Sequence, residues 1–363
     1  MSAGSGTRPA ITAGVRKMPP PMVEPTSTAT ALHSPSRRGR RSPQRSIGSD
    51  REGWVMSANY NAPLKRRVHS SVHSHGRAAS SLADIDSAPM TRRFTRLAWS
   101  AATVTYLLII LGAIVRITGS GMGCGEHWPL CNGRLLPPLD LPTLIEYGHR
   151  LAAAAVAVLV TVLAAHAWWL RREAGNGKRE ASPGVAAYGA LALLVLQVGL
   201  GAVTVKLSLP PWTVILHLGT AMLLLATLLV VARGVPLARP SRAGLGALAL
   251  GFVTVLFGAL TANLGAASAC IGFPLCNGEL VPAGNYLQHV HWTHRLLAYA
   301  LAGYVCWWAL RTKQRGAWSV VALVTMQVAV AATMVLLALP RLLQIAHVAV
   351  GAAVWAGLVL AVL

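Results

Sequence analysis

"LIEYGHRLAAAAVAVLVTVLAAHAWWLRR", residues 144–172, carries the features that decide the fold. From Leu151 to Leu170 it holds no Asp, Glu, Lys or Arg, and it closes on a tryptophan pair and an arginine pair. About twenty apolar residues in a helix cross the ~30 Å hydrocarbon core of a bilayer. Tryptophans favour the interface, and Lys/Arg collect in loops on the cytoplasmic side. Near its start the stretch places Glu146 three residues before His149, so the two share one helix face. Ionisable groups are costly in such a setting and point to function.

The same pattern recurs along the chain. Of 363 residues 54% are hydrophobic and 12% charged, and the apolar runs fall near 97–118, 143–170, 185–206, 212–232, 244–264, 289–310, 317–338 and 342–363. The expected fold is an all-α integral membrane protein with eight transmembrane helices.

The net charge of +21 suggests nucleic acid only until its distribution is read. Residues 1–96 hold 16 Lys/Arg and 5 acids, and the remainder holds 16 and 6. Beyond the first span the basic residues gather in alternate loops: Arg171, Arg172, Lys178 and Arg179, then Arg233, Arg239 and Arg242, then Arg311, Lys313 and Arg315. Arg92, Arg93 and Arg96 precede the first span on that same side, while the opposite loops carry chiefly Arg134, Lys206 and Arg341. By the positive-inside rule the N-terminus is cytoplasmic, and the partner implied by the charge is membrane lipid, not nucleic acid. Residues 1–92 are rich in Ser, Arg, Pro and Ala without apolar periodicity, and are expected to be a disordered basic extension. A targeting segment or a cytoplasmic tail fits that composition, and Met90 offers a second start.

This topology sends two related phrases to the outer face: "GCGEHWPLCNG" (123–133) and "ACIGFPLCNG" (269–278). In an oxidising compartment Cys124 with Cys131, and Cys270 with Cys276, could each close a short loop. Four free thiols, or one zinc site of four thiolates, are the other readings. Cys306 lies inside a span as a packing residue.

The phrases belong to a longer repeat. Superposing "PLCNG" 129–133 on 274–278 lays "EYGHRLAA" (146–153) over "HWTHRLLA" (291–298), matching His149 with His294. Further on, "QVGLGAVTV" (197–205) resembles "QVAVAATMV" (327–335), each followed twenty residues after its glutamine by a histidine, His217 and His347. The chain therefore reads as two tandem, repeat-related four-helix bundles, 93–235 and 236–363. The four histidines stand about five or six residues inside their spans, roughly 8–9 Å below the outer boundary. Two imidazoles across a bundle suit the axial positions of haem iron, and a porphyrin is apolar enough to sit between helices. Packing histidines with interhelical hydrogen bonds are the plainer reading. A non-haem metal is disfavoured because no third and fourth ligand recur.

The halves differ where Glu146 faces His291 across the repeat. A carboxylate one turn from a haem ligand could carry protons or stabilise positive charge; it could equally pair with Arg150. His291 could bind a propionate or interfacial water, and Arg150 and Arg295 could bind propionates or reach the surface. Arg116 has Ala262 as its counterpart and marks the first half as the more specialised.

Together, "IVRITGSGMGCGEHWPLCNG" with "IEYGHR", and "ACIGFPLCNG" with "HWTHR" and "QIAHVAVG", closely resemble the haem A synthase family over residues 95–363. The long N-terminal extension is the main departure. The resemblance implies a membrane oxidoreductase that converts haem O to haem A by oxidising a porphyrin methyl group to formyl. It implies that His149 and His217 bind the substrate haem, with Glu146 essential beside them, and that His294 and His347 ligate a b-type haem. It also implies disulfides Cys124–Cys131 and Cys270–Cys276, and work beside haem O synthase in supplying cytochrome oxidase. The cysteine pairs favour a bacterial plasma membrane over a mitochondrial one. The electron donor, the source of the formyl oxygen and any homo-oligomer stay open. A di-haem b-type cytochrome passing electrons, or a haem carrier, would share the histidines without needing a carboxylate in one half only.

Overall fold

The computed structural model describes residues 92–173, 183–234 and 240–363; the expected basic extension falls almost wholly outside them, as do Lys178, Arg179 and Arg239. The described residues are all-helical. Eight long helices run in order: α1 Arg92–Ile117, α2 Leu141–Glu173, α3 Pro183–Lys206, α4 Pro211–Arg233, α5 Arg242–Asn263, α6 Tyr286–Thr312, α7 Arg315–Leu336 and α8 Arg341–Val362. Each matches an expected span to within a few residues. Seven are long and apolar enough to cross a membrane, which makes this a multi-pass membrane protein. The exception is α6, whose opening turns carry Gln288, His289, His291, His294 and Arg295.

Local sequence explains the helix ends. Ser241 caps α5 by accepting from the Gly244 N–H, and Asn285 caps α6 by accepting from the N–H groups of Leu287 and Gln288. Pro211 opens α4, where its missing N–H costs nothing, and Gly234 ends that helix in the left-handed conformation. The α3–α4 and α7–α8 turns are copies: Ser208 and Leu209 in one, Ala338 and Leu339 in the other, all have positive φ, and each pair is followed by a proline.

Small residues bring the helices together. Ala98, Ala101, Ala102, Thr105, Ile109 and Ala113 form one buried stripe of α1, the kind of surface that lets helices approach without a hydrophobic drive from water. Helix α1 packs on α2 and α4, α2 on α3, and α3 on α4; likewise α5 packs on α6 and α8, α6 on α7, and α7 on α8. Between these groups α1 and α4 meet α8, and α4 meets α5. Leucines and valines such as Leu107, Val158, Val195 and Leu310 are more than half exposed, as faces turned to lipid would be.

Among the described residues two side-chain hydrogen bonds tie the groups: Tyr106 Oη donates to the Ala349 carbonyl at 3.0 Å, and Trp355 Nε1 to the Met222 carbonyl at 2.8 Å. Trp355 also packs against Phe252, ring centroids 5.5 Å apart. Trp355→Phe keeps a ring but loses the indole N–H, and should cost about 1 kcal/mol. Trp355→Ala also empties the site and should cost about 3–5 kcal/mol. Thermal or denaturant unfolding of the detergent-solubilised chain measures both, and equal losses would mean that the indole N–H contributes nothing.

Candidate functional site

The cysteine phrases fold into matched caps over α2 and α6. Cys124 is bonded to Cys131, and Cys270 to Cys276, so neither free thiols nor a four-thiolate zinc site describes them. The "CNG" triplet makes the turn: Asn132 and Gly133, like Asn277 and Gly278, have positive φ, a conformation open to glycine and tolerated by asparagine. Asn132 Nδ2 donates to the Gly123 carbonyl and Asn277 Nδ2 to the Ala269 carbonyl, each at 3.2 Å. Both caps contain a cis peptide bond, Trp128–Pro129 and Phe273–Pro274.

The arginine after each histidine holds its cap from below. Arg150 Nη1 donates to the carbonyls of His127 and Leu130 at 2.8 Å, with Pro129 farther at 3.4 Å. Arg295 Nη1 repeats the pattern on Gly272, Leu275 and Pro274 at 2.9, 2.7 and 3.5 Å, and its Nη2 adds the Cys270 carbonyl at 3.0 Å. Both arginines are turned to loop carbonyls, contacts that neither the propionate nor the surface reading of the sequence anticipates.

Glu146 and His291 stand at equivalent places in this clamp. Glu146, 3% exposed, accepts from the Cys124 N–H at 2.8 Å and forms an ion pair with Arg150 Nη2 at 2.6 Å. His291 Nδ1 donates to the Ala266 carbonyl at 3.0 Å, and its Nε2 accepts from Arg295 Nε at 3.3 Å. His291 thus serves the second cap instead of meeting a propionate or interfacial water. The first clamp stores a negative charge where the second has a neutral acceptor.

Thr143 completes the first cap. Its hydroxyl lies 2.8 Å from both the Gly123 carbonyl and the Asp140 carboxylate, sharing one proton between two acceptors, and its N–H reaches Asp140 at 3.2 Å. These donors hold the Asp140 carboxyl below the usual carboxylate range. A Cβ on Gly123 would fall 2.7 Å from backbone atoms of Pro142 and Thr143.

Below the caps lie the four histidines. His149 and His294 each stand eight residues after the first residue of α2 and α6, and His217 and His347 six after the first of α4 and α8. His149 and His217 are within electrostatic reach of one another, as are His294 and His347. Glycines let three of the rings lie against neighbouring helices. A Cβ on Gly112 of α1 would come 3.3 Å from the His149 ring, one on Gly201 of α3 3.1 Å from His217, and one on Gly258 of α5 2.9 Å from His294. Gln197 Nε2 lies 3.1 Å from His217 Nε2, and Gln327 Nε2 lies 3.1 Å from His347 Nδ1 and 3.3 Å from its Nε2.

Even so, the Nδ1 atoms of His149, His217 and His294 are buried without a hydrogen-bond partner, as are the carbonyl oxygens of Gln197 and Gln327. Buried polar atoms are nearly always paired, so a group of orphans on paired histidines suits ligation of a metal-bearing apolar group. No cluster of three or more His, Cys, Asp or Glu with metal-site geometry occurs among the described residues. Each site therefore offers two imidazoles, the ligand number of a bis-histidine haem.

Sequence reasoning located these histidines but not their glycine contacts or the arginine clamps. Gly123→Ala should spoil the first cap alone, accelerating reduction of Cys124–Cys131 while Cys270–Cys276 keeps its rate. Thiol labelling and mass analysis under graded reductant measure this, and equal rates in the variant and the unaltered chain would contradict the close packing.

Comparison with known proteins places this geometry in context. A family model, COX15-CtaA, described as cytochrome oxidase assembly protein, matches residues 95–144 and 140–359. A protein of Symbiobacterium thermophilum named heme A synthase is 35% identical over 283 residues, which cover 70% of this chain and 90% of that protein. Proteins of the same name from Bacillus licheniformis and Listeria monocytogenes are each 30% identical, over 219 residues (56% and 70% of the respective chains) and 237 residues (60% and 76%).

Proposed function

The chain belongs to the COX15-CtaA cytochrome oxidase assembly family, and from that premise we propose that it is a haem A synthase, an oxidoreductase converting a methyl substituent of haem O to the formyl group of haem A. The observation that carries the reading is the pairing of half-buried histidines, three of them with buried and unpartnered Nδ1 atoms, beneath two caps, only one of which holds a carboxylate.

In this reading the two helix groups, α1–α4 and α5–α8, are tandem repeat-related bundles. His149 and His217 hold haem O, the substrate, and His294 and His347 hold a resident b-type haem. When bound, that haem supplies one-electron redox chemistry that side chains lack. The protein's own residues do the rest. The glycines let the imidazoles approach neighbouring helices, Gln197 and Gln327 orient His217 and His347, and the caps would close the outer ends of the porphyrin sites. Glu146 stands one turn above His149, and its carboxylate can take a proton released as the methyl carbon is oxidised, or offset positive charge there. Arg150 fixes that carboxylate through the ion pair. Charge distribution supports a cytoplasmic N-terminus with the caps on the outer face of a plasma membrane, and disulfides suit that side. The product would serve cytochrome oxidase assembly downstream of haem O synthase.

In cells that make haem O but no haem A, the chain should yield extractable haem A, identified by mass, and Glu146→Ala should lower the yield by about a hundredfold or more. Haem O left unchanged by the unaltered, folded chain would reject the proposal. His294→Ala should remove the low-spin b-type absorbance from the purified protein, and its persistence would put the resident haem elsewhere.

A further inference from the structure

We propose that Arg116 anchors a carboxylate of the porphyrin held by the first histidine pair, and so sets the substrate half apart from the second. The proposal rests on reading His149 and His217 as a porphyrin site. Arg116 lies in the last turn of α1, partly buried, with no hydrogen bond or ion pair from its guanidinium to any described residue. The one ion pair among the described residues is Arg150–Glu146. Gly112, one turn earlier, is the residue against which the His149 ring lies. Residues four apart share a helix face, and helical side chains lean toward the N-terminus. Arg116 thus projects from the outer end of α1 back toward the level of His149.

The neighbouring candidates are already engaged. Arg150 is held by loop carbonyls and Glu146, and each Glu146 oxygen already accepts one bond, from Arg150 or from the Cys124 N–H. Asp140 serves Thr143. In the second half Gly258 lies against His294 as Gly112 does against His149, yet the residue one turn on is Ala262. The cation is therefore no part of the shared clamp. A guanidinium stays charged, is costly to withdraw from water unpaired, and offers a planar fork that fits a carboxylate. Haems carry propionate carboxylates along one edge, and Arg116 stands on the cap side of the histidine pair, where such an edge would meet it.

The test uses the purified full-length chain in detergent, titrated with ferric protohaem and, separately, with its dimethyl ester, following absorbance. The component lost in His149→Ala defines first-half binding. In the unaltered chain the free acid should bind this site about tenfold to a hundredfold more tightly than the diester. Arg116→Gln should bring the acid to the diester's affinity without altering the diester, and Arg116→Lys should restore part of the difference. Equal binding of acid and diester by the unaltered chain, which requires no variant, would overturn the assignment, as would an Arg116→Gln chain that weakens both equally. Absence of any component sensitive to His149→Ala would instead reject the porphyrin site itself, and the anchor with it.

Discussion

Inside hydrocarbon a polar atom can bind only what the protein supplies, and each one left alone costs free energy of the order of a lost hydrogen bond or more. That constraint organises this molecule. Loop carbonyls at the edge of the apolar region are met by Arg150 and Arg295, and threonines along the helices return their hydroxyls to carbonyls four residues back, as Thr105 and Thr254 do. Against this economy the unpartnered nitrogens of His149, His217 and His294 stand out. They are grouped in matched helices, next to glycines that admit their rings. The amide oxygens of Gln197 and Gln327, beside His217 and His347, are unpartnered too, so these orphans gather around the histidines.

The cysteine phrase that the sequence writes twice is matched by geometry that occurs twice. Each copy is a covalently closed loop whose carbonyls converge on one arginine, and that arginine follows a histidine on the helix below. The position of the loop is thereby tied to the position of the imidazole. A change within the clamp can then alter the chemistry of one half without dismantling its frame, and replacing Glu146 by His291 is such a change: both side chains accept from the arginine and both meet the loop backbone. The framework is common to the halves, and the charge is not.

Much of this was legible beforehand. The membrane admits few backbone solutions, so runs such as Leu151–Leu170 announce their helices directly. The histidines were visible because the repeat sets them at like depth. The clamps were not visible, because the acceptors of Arg150 and Arg295 are backbone carbonyls of His127, Leu130, Gly272 and Leu275, which carry no mark in the side-chain alphabet. Proximity to a histidine instead suggested a propionate. Nor does a glycine in an apolar helix announce that an imidazole will lie on it, and the left-handed turns at Ser208–Leu209 and Ala338–Leu339 lack the glycine that would flag them.

The central claim is that one scaffold, duplicated, presents two bis-histidine porphyrin sites, of which the first is chemically distinct. Electron paramagnetic resonance of the oxidised, haem-loaded protein tests it most directly. The account predicts two low-spin ferric signals, one erased by loss of His149 and the other by loss of His294. A single signal, or two that vanish together whichever histidine is removed, would contradict it.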